Sequence, residues 1–268
     1  MTNYFPKLPF DFSLREAKDR GVFISGMPRS GKTNLAKMLA DYLLKLGFII
    51  KVFDPSLAWM ESSLPYFVRI DEEWWRQLNK LNSIPINQSI VYDMGGLYPN
   101  TQKQFVGHVL NSDFKFNYYN MDKVDFTILY FLEECQMIIP SGSLRSNYAQ
   151  ATFRMISVGR NYKQRMVLLS QRPNDVSTKA LSRVGLMYVG GHYESNDIKK
   201  ISNFFNRIPK ETYEMLSGLK IGQFMFLNPY EKILKKINTP LFETDITPKD
   251  YFDRPQPKKR GFWSKLLG

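Results

Sequence analysis

Two periodicities alternate along this chain. Val22–Ser25 is a short apolar strand that stops at a turn rich in Gly and Pro. Over residues 32–46 the apolar positions are Leu35, Met38, Leu39, Tyr42, Leu43 and Leu46, the i, i+3, i+4, i+7 spacing of a one-faced helix. Gly47 follows where a helix-ending glycine belongs, and residues 49–53 return to a strand. A strand–helix–strand unit of this kind builds a parallel sheet. The same alternation predicts helices over 72–81, 101–110, 147–161 and 196–205. Strands are predicted over 89–92, 126–132, 166–170 and 186–189. The run 126–132 is continuously apolar, as in a strand covered on both faces. Residues 224–227 and 232–237 flank Asn228-Pro229-Tyr230 and read as a hairpin. The expected fold is α/β: a mostly parallel central sheet with helices on both faces and a C-terminal β-hairpin.

Composition narrows the function classes. The chain has 268 residues, with 37 Lys+Arg against 25 Asp+Glu, a net charge of +12. Hydrophobic residues make up 43 %, enough for a large core. The charge favours a polyanionic partner, nucleic acid or an anionic membrane. No apolar run approaches the ~18–20 residues that span a bilayer. One cysteine, Cys135, and two histidines, His108 and His192, exclude an intramolecular disulfide and a Cys/His zinc site. The first residues carry acids and two prolines, unlike a signal peptide, so an intracellular setting is expected. Residues 1–20 are expected to be an N-terminal extension, 21–240 the folded domain, and 241–268 a basic tail containing prolines. In that tail Arg254, Lys258, Lys259, Arg260 and Lys265 interleave with Phe262, Trp263, Leu266 and Leu267. It reads as a solubilising end, a nucleic-acid or capsid contact, or a membrane-surface anchor.

Three features carry chemistry. Residues 26–33, GMPRSGKT, match G-x-x-x-x-G-K-[ST] between a strand and an amphipathic helix. Gly26 and Gly31 let the backbone curl so that its N–H groups point at phosphate oxygens, and the helix N-terminus adds its positive end. Ser30 lies within this cradle. Lys32 sets a cation on the β- and γ-phosphates, and Thr33 offers a hydroxyl to Mg²⁺. Arg29 either touches phosphate, reaches a neighbouring subunit, or has no role. The second feature is Glu133-Glu134 at the carboxyl end of the apolar strand, the edge where open α/β sheets bind ligands. One acid can hold Mg²⁺ and the next can polarise an attacking water. The third is Gln171, at the end of strand 166–170, placed to hydrogen-bond the γ-phosphate or that water. Between residues 135 and 174 there is no acid but six cations, Arg145, Arg154, Arg160, Lys163, Arg165 and Arg172. Such a run faces a polyanion or supplies arginine to phosphate. Arg160, at a Gly-Arg-Asn break between helix and strand, suits an arginine finger.

GMPRSGKT, the strand ending in Glu133-Glu134, and the segment SVGRNYKQRMVLLSQRPNDVSTKALSR together resemble the HerA/FtsK superfamily of DNA-pumping P-loop ATPases. Asp54-Pro55 and Asp93-Met94-Gly95-Gly96-Leu97 resemble further strand ends of that family. The likeness covers residues 21–237. It implies a RecA-like fold assembled as a ring, usually of six subunits, around double-stranded DNA, with ATP sites between neighbours. Carried over, Lys32 and Thr33 are Walker A, Glu133 the Walker B metal residue and Glu134 the catalytic base. Gln171 becomes the sensor, Arg160 the finger acting on a neighbour, and Asp54 lies near the nucleotide. The family usually has Asp where this chain has Glu133, so the two glutamates could exchange roles. Arg154 competes with Arg160 for the finger. Residues 141–147, with Arg145, are the candidate pore loop. With only about 20 residues ahead of the first strand, a minimal motor is expected, resembling genome-packaging ATPases of viruses or ATPases of mobile elements. It would work inside the host cell, with the virion as a second location. A membrane-associated morphogenesis or secretion ATPase that moves protein is the alternative.

Overall fold

A computed structural model describes residues 8–60, 62–77, 86–142 and 145–243. Nine strands form one sheet in the order β3-β4-β2-β5-β6-β1-β7-β8-β9. They are β1 Val22–Ser25, β2 Ile49–Asp54, β3 Tyr66–Asp71, β4 Ile90–Gly96, β5 Ile128–Leu132, β6 Gln164–Ser170, β7 Leu186–Val189, β8 Gln223–Asn228 and β9 Ile233–Asn238. β1 to β7 are mutually parallel; β8 and β9 add an antiparallel hairpin at one edge. The helices are α1 Leu14–Arg20, α2 Lys32–Lys45, α3 Glu72–Arg76, α4 Pro99–Tyr119, α5 Asn147–Val158, α6 Thr178–Leu181, α7 Ser195–Phe205 and α8 Pro209–Ser217.

The period-two rule divides each central strand between two cores. In β5, Ile128, Tyr130 and Leu132 face the side covered by α4, α5, α6 and α7, while Leu129 and Phe131 face α1 and α2. In β6, Met166 and Leu168 join the first set, Val167 and Leu169 the second. Burying each such side chain stabilises the fold by roughly 1.5–3 kcal/mol. This is the three-layer arrangement that the alternating pattern predicts.

Several elements escape the pattern. β3 (YFVRID) carries Arg69 and Asp71, which mask it; Arg69 Nε donates to Asp93 Oδ2 on β4 at 2.9 Å. α8 opens with Pro209 and buries only Thr212 and Leu216, too narrow a stripe to register as periodic. In the segment expected to be an extension, α1 sits on the sheet with Ala17 buried, and Tyr188 OH on β7 donates to Asp11 O at 2.7 Å. Of the helix expected over 72–81, residues 72–76 are helical, Gln77 ends the helix, and 78–81 lie outside the described residues. The tail from 244 onward also lies outside them. No described helix is long and apolar enough to cross a membrane.

A charged pair sits inside the α4 side of the core. Lys51, in mid-β2, donates from Nζ to Asp113 Oδ2 of α4 at 2.7 Å, and Tyr130 OH of β5 donates to the same oxygen at 2.9 Å. Removing one member of a buried pair strands the other charge, whereas replacing both by apolar groups is often neutral. Asp113→Ala is therefore expected to lower stability by about 3–5 kcal/mol in urea titration, and Lys51→Met/Asp113→Leu to recover most of that loss. A double variant as unstable as the single one would show that packing, not the charge, sets the effect.

Candidate nucleotide site

Because β1, β5 and β6 are parallel and in register, their carboxyl ends leave the sheet together. Ser25 aligns with Ser170, and Leu132 with Leu168. The loop 26–31, the pair Glu133-Glu134 and Gln171 consequently emerge at one edge.

Glycine contacts hold the loop. Met27 N donates to Gly191 O at 3.0 Å, and Gly222 N donates to Ser30 O at 3.0 Å. Gly31 has φ +99°, and a Cβ there would lie 3.3 Å from Gly222 N. A Cβ on Gly26 would meet Ser30 Oγ at 2.4 Å. Ser30 Oγ is buried with no hydrogen-bond partner among the described residues. Arg29 is exposed, with φ +64°. Lys32 is buried, its Nζ touching Met27 O at 3.3 Å. Burial lowers its pKa, against the raising fields of Glu133 and Glu134. Beneath the loop, His192 Nε2 lies 2.8 Å from Ser25 Oγ. Burial first, then Lys32 and Arg172, push His192 down to about 3, so it is neutral at physiological pH.

Glu133 is 5 % exposed. Its Oε1 accepts from Thr33 Oγ1 at 3.1 Å and from Trp59 Nε1 at 3.0 Å. Burial raises its pKa to about 7, with the Trp59 hydrogen bond opposing. Asp54 stands behind it: Oδ2 accepts from Trp59 N at 2.8 Å and Oδ1 from Ser56 N at 3.0 Å. Asp54 thus shapes the turn that aims Trp59 at Glu133, and burial raises its own pKa. Glu134 follows in the left-handed region, φ 49° and ψ 46°. Gln171 Nε2 donates to Glu134 Oε1, and Gln136 Nε2 donates to Oε2 at 2.6 Å.

The Thr33 hydroxyl and Glu133 carboxylate form a small, all-oxygen set. Among the described residues there is no group of three or more His, Cys, Asp or Glu side chains able to hold a metal. One carboxylate and a hydroxyl nevertheless fit Mg²⁺, which prefers few protein ligands together with substrate phosphates and water.

The cation run 135–174 is corrected by the structure: several of its members serve the fold. Arg165 is buried and donates to Lys18 O at 2.7 Å and Asp19 O at 2.6 Å. Arg172 pairs with buried Asp197 at 3.3 Å, and Lys163 donates to Val124 O. Arg154 donates to Asn111 Oδ1 and lies over the Phe114 ring, 4.5 Å from its centre. Arg160 is exposed, with Asp19 3.5 Å away. It precedes β6, so it lies at the opposite sheet edge from the loop, about 20 Å away along a seven-residue strand. Arg145 is exposed; residues 143–144 of the candidate pore loop lie outside the described residues.

Sequence reasoning did not assign Trp59, Gln136, Ser170 or the Gly190-Gly191 pair. Only the last left a signal: adjacent glycines after a strand mark a close backbone approach.

Among solved structures, the fold is similar to the genome packaging NTPase B204 of Sulfolobus turreted icosahedral virus 2 in complex with ATP-gammaS, at TM-score 0.61 and 16 % identity, covering 84 % of this chain and 99 % of that one. It is also similar to the pCW3 conjugation coupling protein TcpA with ATPgS (0.54, 13 %, covering 88 % and 65 %) and to the cytoplasmic domain of the Type VII secretion ATPase EccC of Thermomonospora curvata (0.53, 12 %, covering 88 % and 28 %). No family model and no curated protein matches the sequence. The three-layer fold expected from the pattern is the one these structures share.

The Glu133 environment predicts a pH effect. With a folded pKa near 7 against 4.5 when unfolded, the folded chain holds the extra proton between those values, so Glu133's contribution to stability falls as pH rises through that window. In the absence of nucleotide and Mg²⁺, Glu133→Gln is expected to raise the melting temperature at pH 8, with the gain shrinking toward pH 4.5. A gain independent of pH would show that the carboxylate is not desolvated in this way.

Proposed function

We propose that this chain, with the fold of HerA/FtsK-type P-loop ATPases, hydrolyses ATP and couples hydrolysis to movement of double-stranded DNA, in packaging or transfer. The observation that carries the reading is the meeting of three strand ends: Thr33 bonded to Glu133, and Glu134 bonded to Gln171, beside a curled Gly-rich loop holding Lys32. Phosphate recognition, a metal-holding carboxylate, a base and a sensor then stand at one edge.

In this reading the loop N–H groups and Lys32 bind the phosphates and align the γ-phosphoryl group. Thr33 and Glu133 would hold Mg²⁺, which neutralises charge building on the phosphate oxygens when bound. Trp59 keeps one Glu133 oxygen oriented. Glu134 takes a proton from the attacking water. Gln171 links that carboxylate to the end of β6. Arg160, on the far edge, is out of reach of its own chain's loop, so as a finger it acts on a neighbour's nucleotide in a ring, six-membered in the expected form. The net charge of +12 and the packaging and conjugation proteins among the similar folds support DNA as the substrate. A secretion ATPase acting on protein is the second reading, favoured by the likeness to EccC.

Steady-state hydrolysis across a salt series separates the two. Long double-stranded DNA is expected to stimulate turnover, with stimulation fading as salt rises because phosphate contacts release counterions. Turnover indifferent to DNA would move the assignment to the protein-moving class. Lys32→Ala is expected to abolish nucleotide binding, and Glu134→Gln to keep binding while turnover falls by about a hundredfold or more. Arg160→Ala subunits mixed with native ones should depress activity more than in proportion to their share; a strictly proportional loss would remove the finger from this residue.

A further inference from the structure

Gln136 belongs to no motif, yet it is the second amide on Glu134. Its Nε2 donates to Glu134 Oε2 at 2.6 Å. Its Oε1 accepts from Ser170 Oγ at 2.7 Å, which fixes the amide with its N–H₂ toward the carboxylate. Ser170 is the last residue of β6, and its Oγ also accepts from Arg172 N at 3.0 Å. Gln171, the next residue, donates to the other Glu134 oxygen. The carboxylate is therefore tied to the end of β6 twice: directly by Gln171, and through Gln136 by Ser170.

The second tie answers a local need. Glu134 occupies the left-handed region, which is uncommon for a residue other than Gly. It opens a three-residue 3₁₀ turn, Cys135–Met137, with no side-chain cap. A carboxylate on such a turn has several rotamers open to it, and a single hydrogen bond leaves it a pivot. Bonds to both oxygens, from two anchored amides, remove the pivot.

We propose that Gln136 is a positioning residue: it locks the Glu134 carboxylate to the end of β6, so that the base and Gln171 move as one unit. The proposal rests on the reading of Glu134 as the base. Gln136 acts through Glu134, so its loss affects the chemical step and not the capture of ATP.

The test is ATP turnover and binding of a non-hydrolysable ATP analogue by the full chain. Gln136→Ala is expected to lower kcat about tenfold, the size typical of a lost orienting partner, with KM for ATP and analogue affinity within about twofold of native. Ser170→Ala should produce a similar fall, and the double variant no further one, because both break the same path. Gln136→His, with a ring N–H toward Glu134 and an acceptor nitrogen toward Ser170, should restore most of the loss. Native kcat in Gln136→Ala, or a double variant whose loss is the product of the two single losses, overturns the proposal. Should Gln136→Ala not fold, Ser170→Ala and Gln136→His carry the same test. Glu134→Gln, measured alongside, separates the failures. If it is inactive while Gln136→Ala is native, only this proposal falls; if it turns over normally, the base assignment fails and the proposal with it.

Discussion

The parallel register of β1, β5 and β6 is the constraint on which the rest depends. Parallel strands deliver all their following loops to one edge, and here the register sets Ser25 level with Ser170 and Leu132 with Leu168. Thr33, at the start of α2, can then reach Glu133 across the neighbouring strand, although the two are a hundred residues apart in the chain. A slip of one residue would turn each side chain to the opposite face and divide both cores wrongly. The buried strands, with alternate residues committed to different helix layers, exclude that slip.

The edge created in this way buries several charged or titratable side chains. Lys32, Glu133, Asp54 and His192 are all buried there, and burial is the largest influence on each. Every one is restrained: Lys32 by the loop carbonyl, Glu133 by Thr33 and Trp59, Asp54 by its own turn, His192 by Ser25. Such buried charged groups cost stability, and each interacts more strongly with its neighbours than it would in water. The same logic sets the value of hydrogen bonds that only orient, from Trp59 on Glu133 and from Gln136 and Gln171 on Glu134.

The opposite edge tells a different story. There α1, Arg165, Asp19 and Arg160 form the base of the sheet, and Arg165 is spent on carbonyls of Lys18 and Asp19. A row of like charges in sequence is therefore not a row in space. Strand residues point alternately to two faces, and loop residues go to whichever edge their strand begins or ends on.

The fold was largely legible in the sequence, because strand and helix periods are local properties and a buried parallel strand must be apolar throughout. The strand β1, the helix α2, the order of alternation and the final hairpin followed from that alone. So did the placement of GMPRSGKT after β1 and of Glu133-Glu134 after β5, because each follows directly on an apolar strand. Elements with polar residues at internal positions, such as β3 with Arg69 and β6 with Gln164 and Arg165, were obscured or shortened; Arg69 and Arg165 find their partners only in the tertiary structure, on Asp93 and on the carbonyls of Lys18 and Asp19. The contacts among distant segments were not legible at all. Asp54 served by Trp59, Gly191 and Gly222 against the loop, and Gln136 and Ser170 around Glu134 are each decided by strand order and register. Sequence determined which groups were available and which short segments could present them. Only the tertiary structure decided which of them meet, because a hydrogen bond between residues a hundred positions apart leaves no period, spacing or propensity in the chain.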